Sequence, residues 1–175
     1  INLCVIEAYY ISQLYKLTGK TLLLAELEDE IKRIKKDSLD QANFPKLLDE
    51  KLLDSITQQA KNSSRLRMNY NLHDSLEAKA QRLFNAMEPG TVLPIHRHQN
   101  TAETYILVRG KLVVRFYNDK KEIIESEILD IKENRYGVHV PAGQWHTVEV
   151  LESGTVVFEV KDGPYSPLNS ADILK

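Results

Sequence analysis

The segment Gly90-x5-His96-Arg97-His98-x4-Glu103-x6-Gly110 constrains this chain more than any other. Successive side chains of a strand point to opposite faces, so His96 and His98 share one face and Arg97 takes the other. Well downstream comes Pro141-Ala142-Gly143-Gln144-Trp145-His146. Two imidazoles at i and i+2, a carboxylate at the start of the next strand and a third imidazole from a distant strand can converge on one metal ion. Imidazole suits iron, nickel, copper or zinc, and a carboxylate adds affinity for manganese and iron. A lone H-x-H arises by chance, and a lone P-x-G is only a turn. Their conjunction at fixed spacing is far more specific.

From about Arg65 the chain reads as strands and turns. Glu88-Pro89-Gly90-Thr91 places Pro and Gly where a type II turn wants them. Tyr105 to Arg109 is β-rich. Leu112, Val114 and Phe116 alternate with Lys111, Val113 and Arg115, which predicts one wet face. Asn118-Asp119 is a hairpin tip. Glu122 to Ile131, Val138 to Val140, Trp145 to Val150 and Thr155 to Val160 supply further short strands. Many short strands at close intervals predict a sandwich or barrel.

Residues 1 to about 60 read differently. Val5, Ile6, Tyr9, Tyr10 and Leu14 recur with helical spacing, and Thr18-Gly19-Lys20 breaks the run. Leu22 to Lys36 is a second helix, acidic first and basic last, as the helix dipole favours. Its basic run reads as a solvated face. Asn43 to Pro45 marks a break. A third helix follows to about Ala60, with Leu48, Leu52 and Ile56 spaced by four. The apolar faces of residues 1–42 need a partner, either the outside of the barrel or a second copy in a homodimer.

At 175 residues the chain has room for one domain with a real core plus an appendage. A formal net charge of -2 offers no basic field for nucleic acid. No apolar run approaches the roughly 18 residues of a membrane helix. The early Glu7, with no basic stretch before it, argues against a signal peptide. The single cysteine, Cys4, forms no internal disulfide and reads as a small buried hydrophobe, so a cytoplasmic location is expected.

These motifs resemble the cupin superfamily. Its first motif is met at every fixed position, from Gly90 to Gly110. Of its second motif, G-x5-P-x-G-x2-H-x3-N, Pro141, Gly143 and His146 fit. Gly137 lies four residues before Pro141 rather than six, and Val150 stands in place of the asparagine. Those departures touch turn geometry more than ligands. A narrower resemblance, to the WbuC-type cupins, rests on Arg65-Leu66-Arg67-Met68-Asn69-Tyr70-Asn71-Leu72-His73, Arg82, Asn85, Glu88-Pro89-Gly90 and Phe158-Glu159-Val160-Lys161-x-Gly163-Pro164-Tyr165. It runs from about Phe44 to Pro167.

The resemblance implies a mainly β fold, a double-stranded β-helix or cupin jelly roll, with an N-terminal α-helical extension. The expected division is 1–42 as that extension, 43–64 as a helix leading into the barrel, 65–167 as the barrel and 168–175 as a tail. The resemblance also implies one divalent transition metal ion (Fe, Mn, Ni or Zn) on His96, His98, Glu103 and His146. Its context is bacterial O-antigen and other surface polysaccharide synthesis, with no reaction attached.

Four protein ligands in a six-coordinate shell leave two positions for water or substrate, and a sugar offers vicinal oxygens to fill them. Arg67, Asn69 and Glu159 are candidates for substrate binding. Tyr70 and His73 are candidates for proton transfer, with Glu159 a third base. Each has a bland alternative. Arg67 salt-bridges the rim, Asn69 satisfies a turn, Tyr70 packs, and His73 caps or lies at the surface. His139 lies off the motif and reads as structural or exposed. Trp145 faces away from His146 and packs in the core. Three classes stay open: a metal-dependent isomerase or epimerase acting on a sugar or sugar nucleotide, a non-haem iron oxygenase, and a non-catalytic saccharide-binding module.

Overall fold

Alternating apolar residues build two facing sheets. In the computed structural model, residues 46–174 are described, and every element below lies in one unit, Leu48–Lys175. The helices read for residues 1–42, the break at Asn43 to Pro45 and Cys4 lie outside the described residues. The described part begins with one helix, α1 (Glu50–Asn62). Ten strands follow: β1 (Arg67–Asn71), β2 (Ala80–Met87), β3 (Ile95–His96), β4 (Glu103–Arg109), β5 (Lys111–Tyr117), β6 (Ile123–Asp130), β7 (Gly137–Val140), β8 (Trp145–Val150), β9 (Thr155–Asp162) and β10 (Ile173–Leu174). They form two five-stranded sheets, ordered β1-β2-β9-β4-β7 and β10-β3-β8-β5-β6, with every pairing antiparallel. This is the double-sheet jelly roll that the motifs imply. No helix among the described residues is long and apolar enough to cross a membrane.

The core lies between the sheets. Met87, Tyr105 and Leu107 from the first sheet meet Leu112, Val114, Phe116, Val148 and Val150 from the second. Val113 is also buried, so the outward face of β5 is drier than its alternation with Lys111 and Arg115 predicts.

A second cluster lies outside the first sheet. There α1 lays Leu53, Ile56 and Ala60 on Phe84, Ala86 and Val156. Asp49 caps the helix, its Oδ1 accepting from the Leu52 N–H at 3.0 Å. The buried stripe is Leu53, Ile56, Thr57 and Ala60. Of the Leu48-Leu52-Ile56 row, Ile56 is buried and Leu52 packs on the cluster, while Leu48, before the helix begins, is 47% exposed. Each fully buried aliphatic side chain here contributes about 1.5–3 kcal/mol.

The turns follow their residues. The Thr91 N–H donates to the Glu88 carbonyl at 3.0 Å, and Gly90 takes φ +94°, as a type II turn requires. The buried Glu88 carboxylate accepts from the Ser153 hydroxyl at 2.6 Å and the Gly154 N–H at 2.9 Å, tying this turn to the loop before β9.

Candidate metal centre

The two sheets contribute opposite halves of the site. His96 ends β3 and His146 lies in β8, where they are direct cross-strand partners. Glu103 opens β4 in the other sheet, opposite Lys161 of β9. One ligand atom from each of His96, Glu103 and His146 falls within 4.8 Å of the others, and all three residues are buried. These three could hold a metal ion.

The backbone sets the tautomers of two imidazoles. His96 Nδ1 lies 3.1 Å from the Pro94 carbonyl, and His146 Nδ1 lies 3.0 Å from the Gln144 carbonyl. A carbonyl only accepts, so each Nδ1 carries the proton and each Nε2 is left for the interior. His146 Nε2 then faces Glu103 Oε1 at 2.6 Å. Despite that close approach, neither Glu103 oxygen makes a well-formed hydrogen bond among the described residues. A lone pair facing a carboxylate oxygen at such a distance needs a positive species between them. A divalent cation held by these residues would supply that charge. A buried carboxylate with no well-formed hydrogen bond, beside imidazoles whose Nε2 atoms face the interior, is therefore a fit for a divalent cation.

The electrostatics agree. Burial raises the Glu103 pKa, but the His146 contact and the surrounding imidazoles and Lys161 outweigh it and bring it down to about 2. Burial, reinforced by His146, lowers His96 to about 4. The acid is ionised and that imidazole neutral near neutral pH, the states in which each ligates.

His98 stands at the edge of the cluster, in the loop after β3. Its Nε2 is 3.6 Å from Glu103 Oε2 and 3.4 Å from Lys161 Nζ, and its ring centroid is 5.3 Å from that of His96. The His98 carbonyl accepts from the Gly143 N–H at 2.8 Å, joining the two motif loops.

A cavity of about 240 Å³ opens over these side chains. Arg67, Asn69 and Glu159 line it, as do Arg65, Asn85, Tyr105 and Lys161. Tyr70 and His73 do not line it. Tyr70 packs on the cluster under α1. His73 Nδ1 meets the backbone of Arg82, 3.1 Å from its N–H and 3.0 Å from its carbonyl, and so pins the β1–β2 connection. His139 is exposed and pairs with the Thr104 hydroxyl at 3.1 Å.

Trp145 does face away from His146, yet it lies on the outer face of its sheet rather than in the central core. Its Nε1–H donates to Asp119 at 2.9 Å, and Arg97 covers its ring. Two interior residues were not singled out as site residues by the sequence reading. Tyr105 is buried with its hydroxyl 3.3 Å from His146 Nε2. Burial, then the Glu103 and Glu159 charges, pushes that hydroxyl well above its usual pKa, so it stays a donor. Lys161 sits 3.9 Å from Glu103 and 3.5 Å from Glu159. The signal for both is parity: inward positions of β4 and β9 are occupied by polar groups.

Residues 48–129 match a family model described as a domain of unknown function (DUF6016), a little under half of the chain. No curated protein matches the chain. Similar solved structures include the cupin domain of Schizosaccharomyces pombe Cnp3, at 11% identity and TM-score 0.45 over 55% of this chain and 64% of that one. The match thus spans just under two-thirds of the Cnp3 domain. KdgF from Halomonas sp. aligns at 16% identity and TM-score 0.44 over 57% of this chain and 82% of that one. BH2720 from Bacillus halodurans aligns at 15% identity and TM-score 0.47 over 71% and 86%.

Proposed function

We propose that this chain is a metal-dependent enzyme acting on a sugar or sugar nucleotide in bacterial surface polysaccharide synthesis, with isomerase or epimerase chemistry. The observation that carries the reading is the buried His96–Glu103–His146 cluster, whose His96 and Glu103 line a cavity. His98 completes the ligand set. The polysaccharide context comes from the resemblance to WbuC-type cupins alone. A bound divalent ion supplies Lewis acidity that polarises a substrate carbonyl or hydroxyl.

The chain's own residues do the rest. Of the three candidate bases, Glu159 alone lines the cavity. Burial and the Glu103 charge raise its pKa, moving it toward the range where a carboxylate both takes and returns a proton. Lys161 beside it holds the charged form. The Tyr105 hydroxyl, 3.3 Å from His146 Nε2, lines the cavity beside the ligands and stays protonated. Asn69 and Asn85 offer amides to substrate hydroxyls.

Imidazole and carboxylate ligands with open positions also suit iron and dioxygen, which makes a non-haem iron oxygenase the second reading. A non-catalytic saccharide-binding module is the third. Elemental analysis of chelator-free protein, paired with deuterium uptake from heavy water into candidate sugars, tests all three. About one metal ion per chain and uptake lost in Glu159→Gln supports the isomerase. Iron with substrate-dependent oxygen consumption supports the oxygenase. Binding without uptake, unchanged in Glu159→Gln, supports the binding module. Protein that neither carries nor takes up metal refutes the metal-dependent reading.

A further inference from the structure

Leu66 is a non-glycine residue in the left-handed region, at φ +54°. Its carbonyl accepts from the Glu88 N–H at 2.9 Å and from the Thr91 hydroxyl at 2.6 Å, which holds the unusual conformation in place. Backbone strain that is over-determined in this way clusters at functional sites. The consequence here is that the flanking residues, Arg65 and Arg67, both line the cavity.

Two arginines thus line one cavity. Arg67 is lowered in pKa, first by burial and then by the charge of Arg65. Its Nη1 donates to the Val92 carbonyl at 3.3 Å, and among the described residues neither arginine has a carboxylate at ion-pair distance. The lining as a whole carries three cations, Arg65, Arg67 and Lys161, against two carboxylates, Glu103 and Glu159. A divalent ion on the histidines adds to that excess. Such a cavity selects an anion.

Register locates the anion. Across β2, Arg67 pairs with Met87 and Lys161 pairs with Gln81. The arginine end is therefore six residues of strand, roughly 20 Å, from the row that holds Lys161 and Glu103. Long side chains narrow that gap but do not close it. A carboxylate on the sugar ring itself would lie within one ring width of the metal-bound oxygens. An anion at the arginine end has to be attached outside the ring. Between the two ends Asn85 Oδ1 is buried and unpartnered among the described residues, an acceptor for a ring hydroxyl.

We propose that Arg65 and Arg67 form a phosphate subsite distinct from the metal cluster, and that the ligand is a phosphorylated sugar with its ring between the arginines and the histidines. Planar guanidiniums grip phosphate oxygens through paired charge-assisted hydrogen bonds. The subsite rests on the sugar reading above for its ring, but its phosphate half is testable without it.

The test is calorimetric titration of the metal-free full chain with inorganic pyrophosphate, for the native protein, Arg67→Gln and the Arg65→Gln/Arg67→Gln pair. Saturable binding that weakens by about tenfold or more in the double variant is expected. No saturable binding, or equal affinity in the double variant, overturns the subsite. Metal content is read separately on metal-loaded samples, so loss of the metal reading and loss of the phosphate reading are told apart. A second arm compares UDP-glucose, D-glucose 1-phosphate and D-glucose on loaded protein. Preference for either phosphorylated probe over glucose supports the subsite, and the tighter of the two names its source. Equal affinity for all three overturns it.

Discussion

His96 and His146 face each other across the β3–β8 pair with ring centroids 4.3 Å apart, and each is fixed through Nδ1 to a backbone carbonyl two residues earlier. The two rings are thus preset by their own strands. His146→Ala should reduce metal affinity by more than the roughly 10–100-fold typical of losing an outer partner. His139→Ala, at an exposed position, should leave it unchanged. Zinc or manganese titration of both variants checks this. Equal affinities would remove His146 from the ligand set.

Glu159 supplies a pH signature. Its folded pKa is raised above the ordinary value, chiefly by burial and then by Glu103. The folded state therefore holds a proton that the unfolded state has released, once pH exceeds the ordinary carboxylate value. Stability from the neutral form is full at lower pH and is lost as pH rises through the folded pKa. Glu159→Gln removes that loss. In metal-free protein its melting temperature, relative to the native chain, should rise from pH 4.5 to pH 8. About 1 kcal/mol moves the midpoint by roughly 2–4 °C at this size. A difference that is flat or falls with pH would mean that the Lys161 pair outweighs burial.

Strand period puts His96 and His98 on one face, but it was the resemblance to the cupin motifs that joined Glu103 and the distant His146 to them. His96 and His146 meet only through the pairing of β3 with β8, which no local pattern shows. β2 is another such case. Met87 faces the inner core while Phe84 and Ala86 meet α1, so the strand is buried on both sides and its period vanishes. Lys161 and Tyr105 looked ordinary because a polar residue on an alternating strand reads as solvent-facing until the facing sheet is known. Tyr70 and His73 drew notice by residue type, but their side chains serve packing and the backbone.

Gly110 is the last fixed residue of the first motif, and its reason is steric. It sits at φ +85° between β4 of one sheet and β5 of the other, where the chain changes walls. A Cβ there would lie 2.3 Å from Thr155 Oγ1 and 2.7 Å from Thr155 Cα. The Thr155 hydroxyl also bonds the Lys111 N–H at 3.1 Å, so the neighbour is not free to retreat. Gly110→Ala should cost at least the roughly 1–3 kcal/mol of a strained backbone position. Gly154→Ala has the same positive φ but no atom within 4 Å, so it should cost less. Urea denaturation of the two variants checks the order, and equal losses would show that backbone conformation alone matters.

Arg97 lies between the two motif histidines in sequence and on the opposite face. Its guanidinium carbon stands 4.2 Å from the centroid of the Trp145 ring, and its Nε approaches Asp172 at 3.5 Å. The Arg97 N–H also donates to the Asp172 carbonyl at 3.1 Å. The side chain thus clamps the segment before β10 onto the outside of the β3–β8 pair. Arg97→Ala should cost about 1 kcal/mol, the scale of a partly desolvated cation–π contact. Trp145 is the chain's single tryptophan, so its emission reports directly on the loss and should shift to the red as water reaches the ring. Metal stoichiometry should not change, because the contact lies on the far side of the sheet from the histidines. Unaltered emission and melting temperature would show that the contact carries no stability, and lost metal would show that the outer clamp holds the ligand strands in register.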